Sequence, residues 1–307
     1  MTVEKKGKVT KGLGGLFEVR IEEGGKITRL ACHAKGILKR DEAKVLIGDD
    51  VTVSIDSSAD GATVISDILP RKCALIRPPM ANLDYIFIVF AAAKPAPVLE
   101  TVDKLTAIAH HNGITPVIVV TKSDLSDGAA EYSRIYRAAG FDTFVASSES
   151  GEGVDAISEY IKKNVTDGRT AAFAGASGVG KSTLMNALFP GLALSTGEIS
   201  RKIERGKHTT RHVEIFDIEN GGFLADTPGF SLIDFSRFDF FSLDELLPAF
   251  PDVLACGGSC RYADCAHVGE GADECAVAKA AKEGDLEPSR LESYRSIYRT
   301  LKGKAQY

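Results

Sequence analysis

Apolar and polar positions change their rhythm twice along the 307 residues. Over residues 7–69 they alternate in short runs broken by turns. Phe17-Glu18-Val19-Arg20-Ile21 reads as a half-buried strand, Gly24-Gly25 as a turn and residues 27–34 as a second strand. Gly48-Asp49-Asp50 is a further turn, leading into Val51-Thr52-Val53-Ser54-Ile55. Period-two alternation at this spacing predicts a small β-barrel. Barrels of this kind often bind oligonucleotides, and a purely structural barrel has the same pattern. Pro70 and Pro78-Pro79 then bracket a linker.

From residue 85 to about residue 230 the strands become continuously apolar and alternate with helical segments. Strands are predicted over 86–90, 116–120, 143–146, 171–174, 213–218 and 222–225, and helices over 99–111, 129–139, 153–163 and 181–189. This alternation predicts a parallel sheet with helices on both faces, an α/β architecture. From residue 239 the chain reads as helical around a cysteine cluster. The predicted domains are therefore 1–70, 71–238 and 239–307.

Composition narrows the class. Apolar residues make up 44% of the chain, enough for a sizeable core. The longest apolar run, 86–93, is strand-sized and too short to span a membrane, and no apolar stretch follows Met1-Thr2-Val3-Glu4-Lys5-Lys6. The expectation is a cytoplasmic protein with no membrane partner. A net charge of −5 excludes a general nucleic-acid binder, so basic segments are judged one by one. Nothing in the sequence demands more than a monomer.

Gly175-Ala176-Ser177-Gly178-Val179-Gly180-Lys181-Ser182 fits the phosphate-binding loop pattern in full, between an apolar strand and a helix. Its glycines let N–H groups turn inward around phosphate oxygens, and the helix N-terminus adds positive potential. Lys181 is expected at the β- and γ-phosphates, Ser182 at Mg²⁺, and Thr183 beside the nucleotide. Asp226-Thr227-Pro228-Gly229 closes a later strand. There Asp226 would hold Mg²⁺ through water, and the Gly229 N–H would meet the γ-phosphate. Thr121-Lys122-Ser123-Asp124 ends another strand and is similar to the Asn-Lys-x-Asp motif that reads guanine, with Thr121 in the Asn position. The Asp124 carboxylate can accept both N–H groups on one edge of guanine, a donor pair adenine lacks. Lys122 would lie over the base, and Ala146-Ser147-Ser148 resembles the last guanine loop. The nucleotide expected is GTP, with GDP as product. An ATPase or phosphotransferase built on the same loop and an RNA-binding module with GTP as a bound ligand are the rival readings.

Order is the sharpest signal. The guanine motifs at Thr121 and Ser147 precede the phosphate loop, whereas in ordinary GTPases they follow it. A sheet tolerates this if the old ends are joined and a new break opens at a surface connection. With this rotation the chain resembles the circularly permuted GTPases that depend on the small ribosomal subunit, a mainly bacterial family. The resemblance covers nearly the whole chain. Gly206-Lys207-His208-Thr209-Thr210 is similar to that family's first switch, Gly-Arg-His-Thr-Thr, with Lys207 for Arg. It implies GTP hydrolysis stimulated by the small subunit and a role in late subunit maturation. Many GTPases place a Gln after the second-switch Gly to orient water, and Phe230 stands there instead. The family motif makes His208 the candidate for that task. Thr209 or Thr210 would bind Mg²⁺ in the GTP state.

Cys260-x4-Cys265-x-His267-x7-Cys275 supplies three thiolates and an imidazole, a set suited to structural Zn²⁺. The family pattern has five residues before its last Cys where this chain has seven, and Cys256 is a competing thiol. Basic residues gather at Arg201, Lys202, Arg205, Lys207 and Arg211, and at Arg295, Arg299 and Lys302 of the tail. Lys5, Lys6, Lys8 and Lys11 lie on the barrel segment. Each group would meet ribosomal RNA phosphates or form a solvated face. Leu291, Tyr294, Tyr298 and Leu301 form an apolar stripe expected in the core.

Overall fold

The computed structural model describes residues 2–36, 44–56, 63–191, 213–227 and 237–304. The chain divides into two compact units. One comprises Met1–Tyr85, Lys162–Ala172 and Gly197–Gly229, the other Ile86–Ile161, Phe173–Thr196 and Phe230–Tyr307.

In the first unit, β1 (Thr2–Leu13), β2 (Leu16–Glu23), β3 (Lys26–Ala34), β4 (Asp50–Asp56) and β5 (Thr63–Ile68) close into a barrel of order β1-β2-β3-β5-β4. β3 and β5 pair in parallel, and the other neighbours are antiparallel. Val9, Val19, Ile21, Cys32, Val51, Val53 and Ile65 fill it, all nearly inaccessible. A bulge at Thr10 interrupts the β1–β2 register between Val9 and Lys11. The proline-bracketed stretch is not a bare linker. It forms a small ribbon of β6 (Ala74–Ile76) and β7 (Pro79–Ala81).

A six-stranded sheet has the order β10-β9-β8-β11-β13-β12. Its strands are β8 (Tyr85–Ala91), β9 (Thr115–Thr121), β10 (Asp142–Val145), β11 (Thr170–Ala174), β12 (Glu214–Asp217) and β13 (Phe223–Asp226). β11 is buried along its whole length and β8 and β9 at every residue but the first, as central parallel strands require. One expectation is corrected: β12 runs antiparallel to β13. The turn between them spans only Ile218 to Gly222 and is closed by the Ile218 N–H on Gly222 O, 3.0 Å, too short for a parallel crossover.

Among the described residues the α-helices are α1 (Leu99–His111), α2 (Gly128–Ala138), α3 (Val154–Asn164), α4 (Lys181–Leu188), α5 (Pro251–Ala255), α6 (Ala276–Glu283) and α7 (Pro288–Lys304). The cysteine cluster occupies the non-helical loop between α5 and α6. On α7, Leu291, Tyr294, Ile297 and Leu301 are buried, while Tyr298 is only half-buried.

In the second unit, Arg290 of α7 is fully buried. Its Nη1 donates to Asp103 Oδ1 of α1 (2.7 Å), and its Nε and Nη2 reach Asp252 of α5 (2.8 and 2.9 Å). The guanidinium also faces the rings of Phe250 and Phe141, 4.7 and 5.2 Å to their centroids. Burial opposes the Arg290 charge, but the two carboxylates outweigh it and hold its pKa above the ordinary value. Burial pushes Asp103 up, and Arg290 pulls it back. Such a triad costs much desolvation, but removing one partner leaves a buried charge alone. Arg290→Met should therefore destabilise the second unit by about 3–5 kcal/mol. A urea midpoint equal to wild type would contradict this.

Candidate functional site

The phosphate loop takes its shape from three left-handed glycines. Gly175, Gly178 and Gly180 have φ of 141°, 78° and 95°. A Cβ on Gly175 would lie 2.0 Å from Val89 O, so only glycine lets the loop leave β11 against β8. Val179 is buried, while Ala176, Ser177, Gly178, Ser182 and Thr183 are exposed. Lys181 opens α4, and its Nζ donates to Gly175 O (2.7 Å) and Ala176 O (2.6 Å) of its own loop. Burial lowers its pKa. An ammonium held only by carbonyls is poised for anionic oxygens, which would offset that desolvation.

The guanine-type motif meets this loop directly. Lys122, in a left-handed conformation at φ 57°, sends its Nζ to Gly178 O (2.8 Å) and to Lys94 O of the loop after β8 (2.5 Å). The Thr121 hydroxyl lies within hydrogen-bond reach of Val179 O (2.5 Å) and Phe90 O (3.1 Å). With one proton it donates to one of them at a time. Lys122 is therefore tied to the loop through its amine, and Asp124 stands exposed on the short 3₁₀ turn Ser123–Leu125 that follows. The third loop is joined on the other side of β9. Ser123 N donates to Ala146 O (3.4 Å), and Ser147 N is engaged by Glu152 O (2.9 Å). Ser147 is fully buried, its Oγ accepting from Ser150 N, and Ser148 is half-buried beside it.

In the first unit, β11 and β13 pair in parallel with Ala172 opposite Ala225, so Asp226 ends its strand at the carboxyl edge of the sheet. Burial raises the pKa of Asp226, and the Glu214 carboxylate raises it further. Glu214 is its cross-strand partner. Thr227 is buried. His208, Thr209, Thr210 and Gly229 lie outside the described residues, as do Arg201, Lys202, Arg205, Lys207, Arg211 and Phe230.

Cys260, Cys265, His267 and Cys275 place their donor atoms within 4.8 Å of one another. His267 Nδ1 is 3.5, 3.5 and 3.4 Å from the three sulfurs. A tetrahedron with Zn–S about 2.3 Å and Zn–N about 2.0–2.1 Å has S···N edges of about 3.6 Å. The donor set thus fits zinc, and the seven-residue spacing is no obstacle. Cys256 is not among the four. His267 is buried at φ 62°, an uncommon backbone state for a residue with a side chain. α7 supports it: Arg295 Nε donates to His267 O (2.8 Å), and Tyr294 OH to Ala266 O (3.2 Å). Arg295 is thus engaged within the fold, while Arg299 and Lys302 are exposed. On the barrel, Lys8 is buried and paired with Asp50 (2.9 Å), Lys5 pairs with Glu23 (2.5 Å) and Lys11 with Glu214. Lys6 is exposed.

The loops expected to carry the chemistry therefore follow strands of one sheet in a rotated chain order. The RsgA GTPase family matches residues 68–236, and the RsgA N-terminal domain matches residues 6–63. The chain belongs to the RsgA GTPase family. It is a GTP-hydrolysing enzyme by that membership. A Geobacillus thermodenitrificans relative named small ribosomal subunit biogenesis GTPase RsgA is 40% identical, over 96% of this chain and 97% of the relative. A Bacillus velezensis relative of the same name is 37% identical over 96% and 97%. The crystal structure of YjeQ from Thermotoga maritima superposes with a TM-score of 0.79 at 29% identity, covering 98% of this chain and 99% of that one. YloQ, described as a circularly permuted GTPase, gives 0.77 at 31% identity over 98% and 96%.

Sequence reasoning found the loops but not the carbonyls that join them. Phe90 O and Lys94 O carry no side-chain signal, and a backbone acceptor is invisible in a residue pattern. Thr121→Val should remove the donor that serves Val179 O or Phe90 O, a loss of about 1–3 kcal/mol. In a GDP titration this should weaken binding by about one order of magnitude, with Thr121→Ser near wild type. Equal affinities for all three proteins would contradict the role given to the hydroxyl.

Proposed function

We propose that this chain is a GTP-driven switch that binds the small ribosomal subunit and acts in its late maturation, the subunit accelerating hydrolysis of GTP to GDP and phosphate. The observation that carries the nucleotide reading is the pair of Lys122 and Thr121 contacts to the phosphate loop. The relatives' shared name supports the partner, and a ribosomal partner places the chain in the cytoplasm. The three modules are taken as residues 1–70, 71–238 and 239–307, working as a monomer.

In this reading Asp124 reads the guanine edge, Lys122 covers the base, and the loop at Ser147 and Ser148 meets the base oxygen. The N–H groups from Gly175 to Thr183 and Lys181 hold the phosphates. Ser182 and Asp226 would hold Mg²⁺, which when bound neutralises phosphate charge. Thr209 or Thr210 joins it in the GTP state, Gly229 meets the γ-phosphate, and His208 positions the attacking water. Slow intrinsic turnover follows if the ribosome completes this last part. Cys260, Cys265, His267 and Cys275 would hold a structural Zn²⁺, leaving no position for substrate.

The rotation sends the second switch straight into the C-terminal helices, a route by which nucleotide state would alter the pose of the zinc segment were those helices free to move on α1. The buried Arg290 triad argues that α1, α5 and α7 move as one body, so we assign the nucleotide-driven change to the switch segments. Exposed Lys6, Arg299 and Lys302 are the cations we offer to ribosomal RNA.

Purified protein should turn over GTP much faster with small subunits than without. Asp124→Asn should weaken GTP binding and admit xanthosine triphosphate. Equal rates with and without subunits would remove the ribosome from the mechanism, and unmoved nucleotide preference would remove Asp124. Metal analysis should find one zinc per chain in wild type and Cys256→Ser, and loss of zinc in Cys265→Ser. Loss in Cys256→Ser instead would overturn the ligand assignment.

A further inference from the structure

The barrel reaches the sheet edge through ion pairs to β12, and one of them lies beside Asp226. Lys11 of β1 pairs with Glu214 of β12, and the two side chains are 49% and 32% exposed. Glu214 in turn stands directly opposite Asp226 in the β12–β13 ladder. Directly paired residues share a face of the sheet with Cβ atoms about 4.5–5.5 Å apart. Three charges, positive, negative and negative, thus run from the barrel to the carboxylate we assign to Mg²⁺.

The placement of Lys11 depends on a break in its strand. The bulge at Thr10 shifts the β1–β2 register by one residue, and the Thr10 hydroxyl is held by Glu18 Oε1 (2.8 Å). Bulges re-aim the side chains that follow them. Val9 before the bulge is buried in the barrel, and Lys11 after it is exposed. The neighbouring contacts between β12 and the barrel are fixed in character: Asp217 receives both Arg20 and Arg29 (2.5 Å for Arg29), and the Arg20 guanidinium faces the Phe223 ring at 5.1 Å. Beside them the half-exposed Lys11–Glu214 pair adds little to stability. Its consequence is electrostatic.

We propose that Lys11 and Glu214 form a charge relay by which the barrel sets the cation affinity of Asp226. With Lys11 on Glu214, that carboxylate is largely neutralised. With Lys11 drawn off, Glu214 adds an uncompensated negative charge beside Asp226 and strengthens its hold on Mg²⁺. Phosphate groups of RNA are the ligand class that competes for such a lysine. By reciprocity, Mg²⁺ held by Asp226 would favour release of Lys11. The relay rests on the assignment of Asp226 to Mg²⁺ made above.

The test is a Mg²⁺ titration of the full chain loaded with a fluorescent GDP analogue, reading the slowing of nucleotide release. Lys11→Met should lower the half-saturating Mg²⁺ concentration roughly threefold or more, and Glu214→Gln should raise it. The double variant should match Glu214→Gln alone, and Lys11→Arg should match wild type. Equal values for Lys11→Met and wild type, or a Lys11→Met shift that persists in the Glu214→Gln background, would overturn the relay. Asp226→Asn separates the two levels: if it leaves the titration unchanged, the Mg²⁺ assignment fails, whereas a response to Asp226→Asn with none to Lys11→Met sinks only the relay. Thermal melts of each variant report whether the fold is kept.

Discussion

The arrangement turns on the Lys122 ammonium. It draws together the ends of three strands that are neighbours in the sheet: Lys122 itself follows β9, Lys94 follows β8, and Gly178 lies in the loop after β11. In an α/β sheet the carboxyl ends of the strands form the ligand edge. A cation anchored there on two carbonyls fixes the spacing between the Ser123–Leu125 turn and the loop from Gly175 to Ser182, and the Thr121 hydroxyl repeats the tie one residue earlier. This explains why a rotated chain order is harmless. Nucleotide recognition depends on which strand ends are adjacent, and the joints needed for permutation lie elsewhere.

The helical part of the second unit rests on a different constraint. Arg290 joins α1, α5 and α7 in a buried ion triad, and α7 then supports the cysteine loop through Arg295 and Tyr294. An apolar replacement of all three charges would satisfy the core as well. What the charges add is directional: guanidinium and carboxylate bond in one geometry, which fixes how α7 sits on α1. The His267 backbone is held in its unusual conformation from the same helix.

Much of this was legible in residue order. Continuous apolar runs gave β8, β9 and β11 within a residue or so, and α1 matches the predicted 99–111 span, since Asn112 and Gly113 end it plainly. The three loops and the four residues of the Cys–His cluster were each picked out by local pattern, and the cluster does bring its donor atoms together. What escaped has physical causes. β1 is a run of lysines and glycines whose strand character comes from pairing with β2 and β4 on both sides, not from its own residues. The antiparallel turn of β12 follows from the length of the connection, which the alternation of strands and helices does not reveal. Asp103 within the buried face of α1 was a visible anomaly, but its partner lies 187 residues away. Lys11 stands out in the sequence only as one of four barrel lysines that would meet RNA or form a solvated face, and its pairing with Glu214 beside Asp226 emerges only from the ladder register.

The central claim is that residues on either side of the rotation serve one bound nucleotide. An experimental structure of the full chain with GDP tests it most directly. The account predicts one nucleotide with its guanine edge on Asp124 and its phosphates on Lys181 and the loop from Gly175 to Ser182. A nucleotide whose base sits away from Asp124 while its phosphates occupy that loop would contradict it.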